Sequence, residues 1–96
     1  MLTIWGRLNS HNVKKVAWAA IEMDIPHRRI DIGGQFGFTP EYLAMNPNRL
    51  IPTIEDDGFV LWESNAILRY LGQRYGGALF PADPQQRAAG DKWMDW

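Results

Sequence analysis

Three short stretches carry side chains that could recognise or activate a small molecule. The first is Ser10-His11-Asn12, which follows the apolar run Thr3-Ile4-Trp5-Gly6 and opens a helical repeat. A serine there either caps the helix or stands at the carboxyl end of a strand, where open α/β sheets bind ligands. No orienting acid accompanies His11, and there is no nucleophile elbow or phosphate loop, so a Ser-His-Asp assignment has no basis. The second is Ile51-Pro52, inside the apolar segment Leu50 to Ile54. The proline is either an edge or turn residue, or it follows a cis bond that turns the Ile51 amide and carbonyl outward to meet an extended peptide. The third is Glu63-Ser64-Asn65, just ahead of another helical stripe. Ser64 either caps that helix or, with the free amides and the positive dipole end, holds a carboxylate. Glu63, just outside, can pair with an ammonium. An α-amino acid end carries both charges a short distance apart and suits the pair.

These residues need elements to hold them. Thr3–Gly6 reads as a short strand. Val13, Val16, Ala17, Ala20 and Ile21 then repeat at helical spacing over about Asn12 to Met23. Pro26 ends that segment, and His27 to Asp31 reads as a second strand. A glycine-containing loop with Gly33, Gly34 and Gly37 leads to a short helix at Pro40, capped by Thr39. Thr53-Ile54-Glu55, a turn at Asp56-Asp57-Gly58, and Phe59 to Trp62 form a hairpin, with both aspartates facing solvent. Ala66, Ile67, Tyr70 and Leu71 mark a further helix ending near Gly72 to Gly77. The order β-α-β-α-β-β-α predicts a right-handed βαβ unit followed by antiparallel strands: a mixed four-stranded sheet flanked by helices. Trp5, Trp18, Trp62 and Tyr70 read as core or interface aromatics.

Composition narrows the function classes. The chain has 96 residues, enough for one small domain, and a net charge of -1, without the concentrated basic face that nucleic acid or an anionic membrane surface requires. It has no cysteine, which excludes disulfides, thiolate-bound metal and redox chemistry on its own thiols. Two histidines without clustered ligand spacing predict no metal site. With no signal-like start and no apolar run of about 20 residues, the expected setting is cytoplasmic, without membrane contact. Leu79 to Pro84 reads as a linker. Beyond it, from Gln85, Ala89, Trp93 and Trp96 share a helix face that nothing in the sequence covers, so the expectation is one domain, 1–78, plus the incomplete first helix, 85–96, of a second.

Three stretches in order, WGRLNSHNVKKV at 5–16, MNPNRLIPTI at 45–54 and LWESNAILRYL at 61–71, carry a resemblance. The chain resembles the N-terminal, thioredoxin-like domain of cytosolic-type glutathione transferases, in particular the bacterial theta-like branch. The likeness covers 1 to about 80, and 85–96 is similar to the start of that family's all-helical second domain. It implies glutathione as cosubstrate and an electrophilic small molecule as its partner, in an enzyme of detoxification type. Ser10 matches the hydroxyl that steadies the glutathione thiolate, with Asn12 as a second donor or its replacement. Ile51 matches the residue whose backbone pairs with the cysteinyl part, and Pro52 the family's cis-proline. Glu63 and Ser64 match the residues that hold the γ-glutamyl ammonium and carboxylate. Asn48-Arg49-Leu50 departs from the commoner Asn-Gly-Lys; Arg49 either takes the lysine's place toward the glycyl carboxylate or that contact is missing. Gln35, Phe36 and Tyr42 fall where glycyl-end contacts vary, and no role is assigned to them. The resemblance also implies a homodimer in the full-length protein, with Arg69, Arg74 and the Arg87 to Trp96 face at the contact, and little activity in these 96 residues alone. Two alternatives stay open: a non-catalytic domain of the same fold used for protein contacts, and a glutathione-dependent isomerase. Thioredoxin or glutaredoxin chemistry fails for want of a cysteine.

Overall fold

Short β-rich runs set off by turn residues, and apolar stripes repeating every three to four residues, give strands and helices where the pattern predicts them, within a residue or two. The computed structural model describes residues 1–77 and 81–95. Its elements are β1 (Leu2–Trp5), α1 (His11–Glu22), β2 (His27–Ile30), a 3-10 turn at Gly34–Phe36, α2 (Pro40–Met45), β3 (Thr53–Asp56), β4 (Phe59–Trp62), α3 (Ser64–Tyr75) and α4 (Pro84–Asp95). The sheet order is β2-β1-β3-β4, with β1 and β2 parallel and the other pairs antiparallel. This is the mixed four-stranded sheet that the order of elements predicts, and the thioredoxin-like fold that the resemblance implies.

Alternation along β1 divides the domain into layers. Leu2 and Ile4 point to one face, where they join Val16 and Ala20 of α1, Ile25, Ile54 of β3, and Ile67 and Leu71 of α3 in one buried cluster. Each fully buried aliphatic side chain there contributes about 1.5–3 kcal/mol. Thr3 and Trp5 point the other way. Arg28 Nε donates to the Thr3 hydroxyl at 3.0 Å, and the Trp5 ring lies 6.3 Å from that of Tyr42 on α2. Thr39 caps α2 by accepting from the Tyr42 amide at 3.1 Å, with Pro40 at the first turn, as its sequence predicts.

Three expectations are corrected. Ile21 is 64% exposed, because it lies about 90° around the helix from the centre of the Val13-Val16-Ala17-Ala20 stripe. Trp18 is also exposed, its indole N–H donating to Glu22 at 3.0 Å on the solvent face of α1. Asp56 does not face solvent: it is the last residue of β3 and 2% exposed. Within the chain, Arg69 pairs with Asp91 and Asp95 of α4, and Arg74 with Asp56 and Asp57. The two Arg69 pairs, together with Asn65 donating to the Met94 carbonyl at 3.1 Å, tie α4 to α3, while no residue of α4 is buried. Leu79 and Phe80 of the expected linker, and Trp96 of the expected apolar face, lie outside the described residues. No helix among the described residues is long and apolar enough to cross a membrane.

Candidate functional site

The ends of three elements converge beyond the carboxyl end of β1. The chain leaves β1 through Gly6, whose amide donates to the Ile30 carbonyl at 2.8 Å, and the Arg7 amide donates to Ile32 at 3.0 Å. This pairing carries the backbone straight to the start of α1. Ser10 occupies the cap position in extended conformation, and its carbonyl accepts the Lys14 amide at 2.9 Å. Its side chain, however, makes no capping bond. The amides of the first turn are thus left without that acceptor, the hydroxyl keeps its own hydrogen to donate, and no acidic residue there neutralises the positive end of α1.

The loop between α2 and β3 is fixed from beneath by a buried polar network. The Tyr42 hydroxyl donates to the Leu50 carbonyl and lies 2.9 Å from the Thr53 hydroxyl, which is left to donate to it. Asn46 Nδ2 donates to the same carbonyl at 3.1 Å and to Thr53 at 3.2 Å, and its Oδ1 accepts from the Asn48 amide at 3.1 Å. Tyr42, Asn46 and Thr53 are all fully buried, and burial pushes the Tyr42 phenol above its ordinary pKa. Above this network Ile51-Pro52 is a cis peptide, and Arg49 takes a left-handed conformation at φ 59°. The Ile51 amide and carbonyl enter no backbone hydrogen bond among the described residues. The cis bond expected at Ile51-Pro52 is thus present.

At the β4–α3 junction, Glu63 and not Ser64 holds the cap position. Its φ of 79° and ψ of 108° are unusual for a side-chain-bearing residue, a conformation that costs about 1–3 kcal/mol. Neither Glu63 nor any acidic residue in the first turn satisfies the free amides of α3. Ser64 is the first helical residue and 5% exposed. Of its two readings the capping one is overturned: the residue that would accept the amide bonds lies one position too far along.

Two adjoining clefts collect these groups. One, of about 260 Å³, is lined by Asn12, Asn46, Asn48, Leu50, Ile51, Pro52, Trp62, Glu63 and Ser64. The other, of about 390 Å³, is lined by Arg7, Ser10, Asn12, Gly33, Gly34, Phe38, Arg49, Leu50 and Ile51. Asn12, Leu50 and Ile51 belong to both. Every residue singled out from the sequence, Ser10, Asn12, Arg49, Ile51, Pro52, Glu63 and Ser64, therefore lies on one continuous depression. Gln35 and Phe36 line neither cleft, and Tyr42 is a buried support and not a wall. Sequence reasoning missed Arg7, Asn46 and Trp62. Asn46-Pro47 read as a helix stop, and only the fold shows that the asparagine also props the cleft floor. Chemically, the first cleft sets an exposed carboxylate beside a hydroxyl and a helix start, so it complements a zwitterion. The second sets a hydroxyl and an amide beside two guanidinium groups.

Comparison with known proteins gives the family. The model of the glutathione S-transferase N-terminal domain matches residues 9–74. Glutathione S-transferase GstB of Escherichia coli K12 is 48% identical over all of this chain and 49% of its own length. The theta class glutathione S-transferase of the citrus canker pathogen Xanthomonas axonopodis pv. citri, solved with glutathione bound, superposes with a TM-score of 0.95 at 54% identity, covering 99% of this chain and 47% of that one. Bombyx mori glutathione transferase BmGSTD1 superposes with a TM-score of 0.89 at 37% identity, over 98% and 45%. The chain spans about half the length of the Escherichia coli relative. With that family's model matched over most of its length, and its cleft residues in order, the chain belongs to the glutathione S-transferase family and carries that family's N-terminal domain.

Proposed function

We propose that this chain is the glutathione-binding part of a glutathione S-transferase that delivers the glutathione thiolate to an electrophilic small molecule. The observation that carries the proposal is the first cleft, where Glu63, the Ser64 hydroxyl, the uncapped start of α3 and the unpaired Ile51 backbone converge. In this reading Glu63 takes the γ-glutamyl ammonium, and Ser64 with the α3 amides takes its carboxylate. The Ile51 amide and carbonyl pair with the cysteinyl backbone, held open by Pro52. Arg49 meets the glycyl carboxylate. The sulfur then reaches Ser10 and Asn12 in the adjoining cleft.

The chemistry required of the protein is small. A free cysteinyl thiol has a pKa of about 8.5 and is mostly protonated at neutral pH. The Ser10 hydroxyl donates to the sulfur and favours the thiolate, as does the positive end of α1, whose first turn holds no acidic residue. Losing that one donor costs about 1–3 kcal/mol of thiolate stabilisation. The thiolate then forms a bond to the electrophilic carbon. In the longer protein, residues 1–78 would be the first domain and 85–96 the opening of a helical second domain that supplies most of the electrophile's pocket, in a cytoplasmic homodimer.

Titration calorimetry of glutathione against the chain and its Ser64→Ala variant tests this reading. Weak, measurable binding to the native chain is expected, reduced about 10- to 100-fold by the substitution, as befits a hydrogen bond to a charged carboxylate. No binding at millimolar glutathione, or an unchanged affinity in Ser64→Ala, would overturn it.

A further inference from the structure

The second cleft contains a cation that binding of glutathione leaves unused. Resting on the reading above, we infer that Arg7 makes this site selective for electrophiles that carry a carboxylate next to the reacting carbon. Arg7 leaves β1 three residues ahead of Ser10, and the Ser10 amide donates to the Arg7 carbonyl at 3.2 Å, so the guanidinium and the sulfur-facing hydroxyl are fixed to one turn of backbone. The side chain itself is held. One terminal nitrogen donates to Asn9 Oδ1 at 2.8 Å, and the chain lies flat against Gly34, where an added Cβ would stand 2.4 Å from Nε. Nε is fully buried with no partner. Among the described residues no carboxylate pairs with Arg7, and the cleft it lines holds a second guanidinium, Arg49, and no acidic side chain.

A partly desolvated, uncompensated guanidinium with most of its five donors unspent is matched by a planar carboxylate that accepts two of them. Arg49 is taken by the glycyl carboxylate in that reading, and Glu63 lines the adjoining cleft and not this one. The second anion must therefore come with the co-substrate. In the reaction, the sulfur lone pair forms the S–C bond, and the leaving group departs with the electrons of the bond that breaks. The thiol proton has already passed to solvent. The carboxylate enters and leaves unchanged, bound to Arg7, and so orients the carbon toward Ser10 and the sulfur.

The product of such a reaction provides a probe that needs no turnover. S-carboxymethylglutathione and S-carbamoylmethylglutathione have the same shape and differ by one charge. Calorimetry on the chain should find the carboxymethyl conjugate bound about tenfold more tightly, the worth of a charge-assisted pair. The preference should weaken as salt is raised. Arg7→Met should abolish it, both conjugates then binding alike, and Arg7→Lys should keep part of it. Equal affinity of the native chain for the two conjugates, with glutathione itself bound, overturns the inference alone and needs no variant to fold. Loss of the preference in Arg49→Met but not in Arg7→Met also overturns it. No binding of glutathione at all overturns the reading of the site on which it rests.

Discussion

Replacing Asp56 should unfold this domain more readily than any change on its surface. The carboxylate sits at the end of β3, 2% exposed, and Oδ2 accepts from Tyr70 at 2.7 Å, Arg74 at 2.6 Å and Tyr75 at 2.9 Å, with Tyr75 also 3.1 Å from Oδ1. It thus anchors the β3–β4 hairpin to the last turns of α3. Hydrogen bonds to a charged group are worth about 1.5–3 kcal/mol each. The two tyrosine bonds, taken at the lower end because they share one oxygen, give about 3 kcal/mol. The Arg74 pair adds at most about 1 kcal/mol, since that side chain is 43% exposed and regains water when released. Asp56→Ala should therefore cost about 3–4 kcal/mol, which for a domain of this size lowers the melting temperature by roughly 12–30 °C. Asp56→Asn keeps an acceptor at the same place but removes its charge. Neutral bonds are roughly half as strong, so it should lose about half as much. Urea unfolding followed by tryptophan fluorescence, with constant slope, measures both. A loss under about 1 kcal/mol in Asp56→Ala would refute the argument. Equal losses in the two variants would show that packing and not charge holds the hairpin to α3.

Two further outcomes follow from the same geometry. Burial first, then the hydrogen bond to Asp56, raises the Tyr75 phenol to about 12, and burial raises Tyr70 and Tyr42 in the same direction. The folded values lie above the unfolded value of about 10, so this contribution is complete below pH 10 and is lost as pH rises through 12; urea midpoints should stay level up to about pH 10 and then fall, and a midpoint unchanged at pH 12 would contradict the assignment. At Gly6, with φ 155°, an added Cβ would stand 2.4 Å from a methyl of Val13, which is fully buried; Gly6→Ala should cost about 1–3 kcal/mol in the same assay, and a neutral result would show that the turn before Ser10 yields easily.

Much of the fold was legible in the sequence because its devices are local. The β-rich run Thr3 to Gly6, the helical stripe from Val13 to Ile21, the Thr39 cap and the turn read at Asp56-Asp57-Gly58 each depend on residues within a few positions of one another, and each element is present within a residue or two. The three stretches that carry the family resemblance are likewise contiguous, which is why the residues expected to line the cleft do line it. What a polar side chain does was not legible, because its partner lies elsewhere in the chain. Asp56 read as a turn residue; its donors are 14 to 19 residues away, on a helix that had first to pack. The acids that Arg69 and Arg74 pair with, Asp91, Asp95, Asp56 and Asp57, are likewise 17 to 26 residues away in the chain. Ser64 read as a cap until the β4–α3 junction gave that place to Glu63. Periodicity and turn chemistry thus determined the elements and their order, while tertiary structure alone decided which polar groups were satisfied inside the chain and which, like Ser10, Ser64 and Arg7, were left facing a cleft.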